Sequence, residues 1–316
     1  MNWDPTQFFR EDTNNPPPPF ALVILNQPIN GTALSVLRKH ALMTVCADGG
    51  ANRFFEWAAS RKQEGSDLPS TIIGDLDSIR PEIRTHYASR GVNIIEDNDQ
   101  YSTDFTKSLR YLREHESDIL SSYSIKEDED GDSRRLEILI LGGLGGRVDQ
   151  AFSQIHHLYM MNQNQKQKQK TDSSDTDSGS TSRSGNLYLI SEESITFILQ
   201  PGQNTIHVPR TNRARSNSNQ DLNETHPNLP IEKEVSSYLL EENVGIIPLS
   251  GPARISTRGL QWDVKDWATE IGGQISTSNH IRAEVVEVET GVPVLFTLEL
   301  ARRLKRVSRQ ASQLIA

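Results

Sequence analysis

Short apolar runs alternate with amphipathic segments through the first half of the chain. The apolar runs have the length of buried strands and occupy residues 20–25, 42–46, 71–73, 92–95 and 136–141. The segments between and after them have the apolar spacing of helices and occupy residues 32–40, 50–61, 81–90, 103–116 and 146–161. Strands that alternate with helices predict a parallel sheet covered by helices, with ligands at the carboxyl ends of the strands.

The pattern changes after residue 186, where short strands follow one another with turns between them. Strand-like runs occupy residues 187–190, 195–199, 244–249, 283–288 and 294–300. The fold class predicted is therefore α/β plus all-β: an N-terminal parallel-sheet, Rossmann-like α/β domain over residues 20–160, followed by a C-terminal β-sandwich domain over residues 186–300.

Several polar segments lie outside these two domains. Residues 1–19 are predicted to be a flexible N-terminal arm, and residues 301–316 a basic tail. Segments 121–134, 161–185 and 210–237 are rich in Gln, Lys, Ser, Asp and Thr and contain few large apolar residues. Such compositions bury too little apolar surface to offset the entropy of ordering, so all three are predicted to be mobile loops. The second is a low-complexity insertion between the domains, and the third is an insertion in the β domain.

Composition excludes several classes of protein. The 316 residues carry 33 Lys and Arg against 42 Asp and Glu, and a formal net charge of -9 argues against general nucleic-acid binding. A single cysteine, Cys46, excludes an internal disulfide framework and a cysteine-rich zinc site. No apolar run reaches the roughly 18 residues of a membrane span. The expectation is a cytoplasmic protein without nucleic-acid or membrane partners.

Two carboxylates follow the third predicted strand, in the run Gly74-Asp75-Leu76-Asp77-Ser78. In an extended segment, positions i and i+2 project to the same side, so Asp75 and Asp77 are expected to converge on one cation. Magnesium is usually held by one or two carboxylates while phosphates and waters complete its octahedron. The alternative is an acidic turn in which Asp75 or Ser78 caps the next helix.

Three further strand ends carry groups suited to phosphate. Asp48 and Asn52 flank a Gly-Gly pair, and Asp104 lies three residues before Lys107, on the same face of a predicted helix. The fourth is a glycine loop that opens a helix and provides an anion cradle, Gly142-Gly143-Leu144-Gly145-Gly146-Arg147-Val148-Asp149-Gln150. The alternatives are a solvated ion pair for Asp104 and Lys107 and a tight strand-to-helix turn for the loop. The loop fits neither the Walker A pattern nor the dinucleotide fingerprint.

Taken together, these motifs resemble those of the thiamine pyrophosphokinase family. The likeness rests on residues 47–53, 74–78, 99–107 and 142–150, and continues through Ser256-Thr257-Arg258-Gly259-Leu260-Gln261-Trp262 and Ser276-Thr277-Ser278-Asn279. It spans most of residues 20–300, and the low-complexity segments are similar to insertions of fungal members.

The resemblance implies transfer of the pyrophosphoryl group of ATP to the hydroxyl of thiamine, which gives thiamine diphosphate and AMP. Mg²⁺ would be held by Asp75, Asp77 and Asp104, while Lys107 and Arg147 screen the transferred oxygens. Asp149 is expected to contact the reacting groups, and Asp104 or Asp149 to accept the hydroxyl proton. The expected ATP-binding or supporting residues are Asp48, Asn52, Gln100, Thr103, Gly145, Gly146 and Gln150.

The resemblance also implies a thiamine site in the β domain. Trp262 would stack on the aminopyrimidine ring, with Ser256, Ser278 and Asn279 as further substrate contacts; without the resemblance, Trp262 reads as a core anchor. Family members form homodimers with the site between the α/β domain of one chain and the β domain of the other. Two alternatives remain: a metal-dependent nucleotide phosphoesterase and a non-catalytic thiamine- or nucleotide-binding regulator.

Overall fold

The structure, a computed structural model, describes residues 1–10, 16–121, 135–171, 185–213 and 237–306. The chain divides into two compact units. An α/β unit comprises Glu11–Glu192, and a β unit comprises Met1–Arg10 together with Glu193–Ala316. In the described residues, no helix is both long and apolar enough to cross a membrane.

A parallel sheet with helices forms the α/β unit, as predicted. After strand β1 (Asn2–Trp3), which belongs to the β unit, the elements run β2 (Phe20–Ile24), α1 (Gly31–Leu37), β3 (Met43–Ala47), α2 (Gly50–Ser60), β4 (Thr71–Gly74), α3 (Pro81–Ala88), β5 (Asn93–Glu96), α4 (Asp104–Glu114), α5 (Glu116–Ser121), β6 (Glu137–Leu141), α6 (Val148–Thr171) and β7 (Leu187–Ile190). The strand order is β7-β6-β2-β3-β4-β5, and every neighbouring pair in it is parallel.

Local sequence explains the helices that border the site. In α2, the apolar spacing buries Phe54, Trp57 and Ala58 along one face. Helix α4 begins where the Thr103 side chain accepts a hydrogen bond from the Thr106 amide at 3.2 Å, an N-cap that satisfies one of the free amides of the first turn. This cap fixes the start of α4 at Asp104.

Two predicted boundaries differ from the structure. Strand β7 was expected in the β domain, yet it pairs in parallel with β6 from Leu187 to Ile190. A four-residue run that is buried throughout suits the inside of a parallel sheet, but the run alone does not reveal its partner. Helix α6 continues to Thr171, into the predicted low-complexity insertion, since Gln and Lys are good helix formers.

The β unit contains two packed sheets, in agreement with the predicted sandwich. Its further strands are β8 (Ser194–Leu199), β9 (Gly202–His207), β10 (Thr211–Asn212), β11 (Leu240–Pro248), β12 (Ala253–Arg258), β13 (Trp267–Thr269), β14 (Ser276–His280), β15 (Val285–Thr290) and β16 (Val294–Leu300). One sheet has the order β1-β9-β15-β12-β13, and the other has β10-β11-β16-β8 with β14 paired to β11. Trp3 of the first sheet contacts Phe197 of the second with ring centroids 4.8 Å apart.

Residues 1–10 are not the flexible arm that the sequence predicts. Strand β1 pairs in parallel with β9, and Trp3, Phe8 and Phe9 are buried. The Trp3 indole also donates a hydrogen bond to Asn204 at 3.0 Å. The average composition of residues 1–19 is polar, which led to the prediction of a flexible arm. Three large aromatic side chains among the first ten residues nevertheless provide enough apolar surface to pack against the β unit. Segments 11–15, 122–134, 172–184, 214–236 and 307–316 lie outside the described residues. Most of the predicted loop at 121–134 and of both insertions, the basic tail beyond residue 306 and part of the N-terminal arm therefore lie there too.

Candidate active site

Three carboxylates meet at the carboxyl edge of the parallel sheet. Asp48 follows β3, Asp75 follows β4, and Asp104 is the first residue of α4. Each offers one oxygen to a group in which all three oxygens lie within 4.8 Å of one another. The carboxyl ends of adjacent parallel strands share one edge of the sheet, which explains how residues distant in sequence converge.

Asp48 is the buried member of this group and also a structural link. Its side chain is about 1% exposed and accepts hydrogen bonds from the amides of Ser78 at 2.9 Å and Ile79 at 3.0 Å. Burial raises the pKa of Asp48 and the charge of Asp104 raises it further, while the two amides lower it. Asp48 thereby fastens the loop after β4 to the end of β3.

Asp77 lies outside the group, although the sequence places it beside Asp75. Its side chain is exposed and accepts a hydrogen bond from the Ser78 hydroxyl at 2.8 Å. The expected convergence requires extended backbone, whereas Leu76 between the two acids has a φ of 62° and is buried. A left-handed residue breaks the alternation of side chains, so Asp48 rather than Asp77 joins Asp75 and Asp104.

Lys107 is a buried cation beside the carboxylates. Its side chain is about 1% exposed, and its Nζ lies 3.2 Å from Oδ1 of Asp104, one turn earlier on α4. The sequence left open a solvated ion pair on a helix surface, and this burial excludes that interpretation. A buried ammonium is kept only with compensating charge, which the acidic group provides.

The loop that carries Asp75 is also held by hydrogen bonds with Asn52, and the strand before it is closely packed at Gly74. Asn52 donates a hydrogen bond to the Ser78 carbonyl at 2.8 Å and accepts one from the Arg80 amide at 3.0 Å. A Cβ at Gly74 would lie 2.7 Å from Cβ of Asp48 and 2.9 Å from Oδ1 of Asp104. Glycine is therefore needed where β4 passes under the carboxylates.

A cavity of about 160 Å³ adjoins the acidic group. Its lining includes Asp48 and Asp104, Asn26 and Gln27 after β2, and Gln150 and Gln154 on α6. The glycine loop borders the same region, because a Cβ at Gly146, which has a φ of 68°, would lie 2.7 Å from Oε1 of Gln27.

Other residues predicted for this site are solvent-exposed. Arg147 and Asp149 pair with each other, with NH2 2.5 Å from Oδ2; the hydrogen bond from Arg147 lowers the pKa of Asp149 and the same bond raises that of Arg147. Gln100, Gly145 and the capping residue Thr103 are exposed as well.

In the β unit, an exposed indole is fixed through its backbone. Trp262 is 55% exposed, which excludes the core-anchor interpretation, and its ring lies 5.2 Å from the His280 ring. The buried Asn279 accepts a hydrogen bond from the Trp262 amide at 3.2 Å and donates one to its carbonyl at 3.0 Å.

The two serines predicted for the same site also lie in the β unit. Ser256 accepts a hydrogen bond from the Asp266 amide at 3.0 Å, and the exposed Ser278 has a φ of 54°.

Comparison with known proteins gives this arrangement a family. Residues 34–170 match the sequence model of the thiamin pyrophosphokinase catalytic domain, and residues 228–295 match that of its vitamin B1 binding domain. Thiamine pyrophosphokinase 3 of Oryza sativa subsp. japonica is 30% identical over 292 residues, which cover 89% of this chain and 87% of that protein. This chain belongs to the thiamine pyrophosphokinase family.

Further relatives of the family agree in sequence and in fold. The thiamine pyrophosphokinase of Saccharomyces cerevisiae is 26% identical over 301 residues, covering 85% of this chain and 80% of that protein. The solved structure of thiamin pyrophosphokinase from Candida albicans matches with a TM-score of 0.69 and 28% identity, covering 95% of this chain and 92% of that one.

Within this family member, the catalytic-domain match contains the whole acidic group and the glycine loop, and the B1-binding match contains Trp262 and Asn279. Four residues that line the cavity are not among those predicted from the sequence: Asn26, Gln27, Ser153 and Gln154. Asn26 and Gln27 follow the end of β2, so the strand-end rule that selected Asp48 and Asp75 also points to them. For Ser153 and Gln154 the sequence holds no comparable signal beyond their distance of about one helical turn from Gln150.

Proposed function

We propose that this chain is a thiamine diphosphokinase, which transfers the pyrophosphoryl group of ATP to the hydroxyl of thiamine and releases AMP. The observation that carries the proposal is the group of three carboxylates beside a buried lysine, at the ligand edge of the sheet, in a thiamine pyrophosphokinase chain. Family membership favours this transfer over the alternative of a metal-dependent nucleotide phosphoesterase, for which the same carboxylates would activate water.

The acidic group suits a magnesium ion. All its donors are carboxylate oxygens close enough to share one cation, and oxygen ligands are those that Mg²⁺ takes. We assign Asp75 and Asp104 as ligands, with Asp48 as a third ligand or as a support for their loop. When bound, the ion would neutralise charge on the polyphosphate of ATP. Asp77 remains a proposed metal ligand only through the resemblance, because it lies outside the group.

The side chains of this chain account for positioning and charge. Lys107 presents a fixed cation next to Asp104, and Arg147 can exchange its exposed partner Asp149 for phosphate oxygens. The loop at Gly145 and Gly146, which leads into the N-terminus of α6 at Val148, completes the phosphate side together with Gln150. Asp149, once released from Arg147, is available to accept the hydroxyl proton of thiamine, and Asp104 is the other candidate. Thr103 and Gln100 are supporting residues at the start of α4.

Thiamine is proposed to bind at the exposed indole of Trp262. An aromatic face that is held rigidly by Asn279 suits a flat, cationic ligand, through stacking and cation–π attraction. Ser256 and Ser278 are proposed as its polar contacts.

We further propose a homodimer in which Asp75 of one copy and Trp262 of the other serve the same substrate. Mixing an Asp75→Ala variant with a Trp262→Ala variant tests this, because heterodimers would contain one site with both residues intact. Recovery of part of the activity is expected after subunit exchange. No recovery, with exchange verified by differently labelled subunits, would contradict a shared site.

The activity itself is tested by following AMP and thiamine diphosphate with ATP and Mg²⁺, with and without thiamine. Both products should appear together and only with thiamine. Asp104→Asn should abolish them, whereas the matched change Asp97→Asn, at a carboxylate paired to Arg110, should not. Nucleotide hydrolysis at full rate without thiamine would support the phosphoesterase, and ligand binding without turnover would support the regulator.

A further inference from the structure

One residue that lines the cavity beside the acidic group, Gln154, carries an acceptor without a partner among the described residues. Oε1 of Gln154 is buried, and in the described part of the chain it receives no hydrogen bond. Its side chain packs against Gly143, with Cγ 3.7 Å from the position of a Cβ on that glycine. A buried amide oxygen that is left unpaired costs free energy, so such a group in a binding cavity points to a ligand donor.

The residues that line the cavity indicate which part of a ligand carries that donor. No lysine or arginine is among its described lining residues, and Asp48 and Asp104 stand at its edge. A phosphate oxygen cannot donate a hydrogen bond to the Gln154 acceptor, so the polyphosphate, which the metal on Asp48 and Asp104 would hold, does not supply the missing donor. The apolar lining by Leu25 and Phe105 suits a flat ring rather than a sugar. A volume of about 160 Å³ accommodates an aromatic ring, since a cavity of roughly 150 Å³ holds benzene.

We propose that Gln154 selects the nucleotide by accepting a hydrogen bond from the exocyclic amino group of its base. This inference rests on the proposed function, in which ATP is the substrate. The base would occupy the cavity between Phe105 and α6, and the polyphosphate would extend past Asp104 toward Lys107. Gln154 is thus a specificity-determining residue, distinct from the residues assigned above to metal and phosphate.

The unpaired acceptor predicts opposite effects on the free protein and on nucleotide choice. A methionine at position 154 keeps the length of the side chain and removes the unpaired oxygen, so the free protein should be equally stable or more stable. The same change should remove the preference for a base that carries an amino group. A purely structural glutamine would lose stability instead.

The experiment compares ATP with purine riboside triphosphate, which lacks only the 6-amino group. For the wild type, kcat/KM with thiamine should favour ATP by about tenfold or more, the worth of one well-placed buried hydrogen bond. In Gln154→Met the two nucleotides should become equal within about twofold. The matched control is Gln63→Met, an exposed glutamine that bonds Arg61, and it should retain the wild-type preference.

Two results would overturn the inference. One is an unchanged preference for ATP in Gln154→Met, and the other is an equal loss for both nucleotides together with a lower melting temperature. A wild type that forms no thiamine diphosphate from either nucleotide would instead refute the proposed function. Calorimetric binding of the two nucleotides to the wild type and Gln154→Met would then still decide the role of Gln154.

Discussion

Substituting Gly74 by alanine should disable the site by displacing a carboxylate. The added Cβ would lie 2.7 Å from Cβ of Asp48, where carbon atoms normally stay at least about 3.5 Å apart, so a displacement of about 0.8 Å is required. Asp48 is held by two backbone amides and resists movement. The added Cβ would also lie 2.9 Å from Oδ1 of Asp104. Asp104 should therefore yield, moving away from both Lys107 and the other acids.

The expected magnitudes differ for stability and for activity. Overpacking of this kind costs about 1 to 3 kcal/mol of the free energy of unfolding, which leaves the protein folded. A displacement near 1 Å at a reacting centre can lower the rate about 100-fold. We therefore expect a folded variant with a large loss of kcat and a higher Mg²⁺ concentration at half-maximal rate.

The assay measures thiamine diphosphate formation across a Mg²⁺ titration, alongside denaturant unfolding. Gly65→Ala is the matched control, because no atom lies within 4 Å of the Cβ it would add, and it should behave as the wild type. A folded Gly74→Ala variant with wild-type kcat and Mg²⁺ dependence would show that close approach of the three carboxylates is not needed for the reaction.

The hydrogen bonds of Asn52 and Asn279 and the burial of Glu137 each have a measurable consequence. Asn52→Ala removes both hydrogen bonds to the loop at Ser78 and Arg80, so denaturant unfolding should show a loss of about 1 to 3 kcal/mol; an unchanged midpoint would contradict that support. Asn279→Ala should raise KM for thiamine at least about tenfold and leave KM for ATP unchanged, because it frees the backbone of Trp262; equal changes in both KM values would refute this. Burial raises the pKa of Glu137 from 4.5 to about 7, although the hydrogen bonds from Asn186 lower it. Because the unfolded state releases this proton at a lower pH than the folded state does, the wild type loses stability as pH rises from about 4.5 to 7. Glu137→Gln should therefore unfold with about 2 kcal/mol more free energy than the wild type at pH 8 and with no gain near pH 4.5, allowing for partial exposure; an equal gain at both pH values would exclude titration as the cause.

The sequence predicts where this site lies better than it predicts which residues form it. Strand-end placement leads to Asp75, Asp104 and Lys107, which lie close together in the structure because parallel strands present their carboxyl ends at one edge. It does not reveal that Leu76 is left-handed, a conformation imposed by the burial of its side chain and by the hydrogen bonds that hold the loop. That one dihedral angle breaks the alternation that would otherwise direct Asp77 to the same side as Asp75.

The predicted bounds of the two domains differ from the structure for another physical reason. Apolar runs report burial, but not which sheet provides the partner, so β7 was assigned to the β domain although it pairs with β6. Composition averaged over residues 1–19 is polar and hides Trp3, Phe8 and Phe9. Pairing of β1 with β9 joins residues about 200 positions apart, and no local signal encodes a contact at that separation.

The parallel pairing of β1 with β9 makes the β unit discontinuous, with the whole α/β unit inserted between its two pieces. During synthesis, the inserted α/β unit can therefore fold before β9 has been made. Until β9 is made, the first ten residues have no partner strand, and their three aromatic side chains stay exposed. A cut near residue 192 would therefore remove one edge strand from the sandwich. The separate β unit should keep residues 1–10, joined to the C-terminal piece by a short linker.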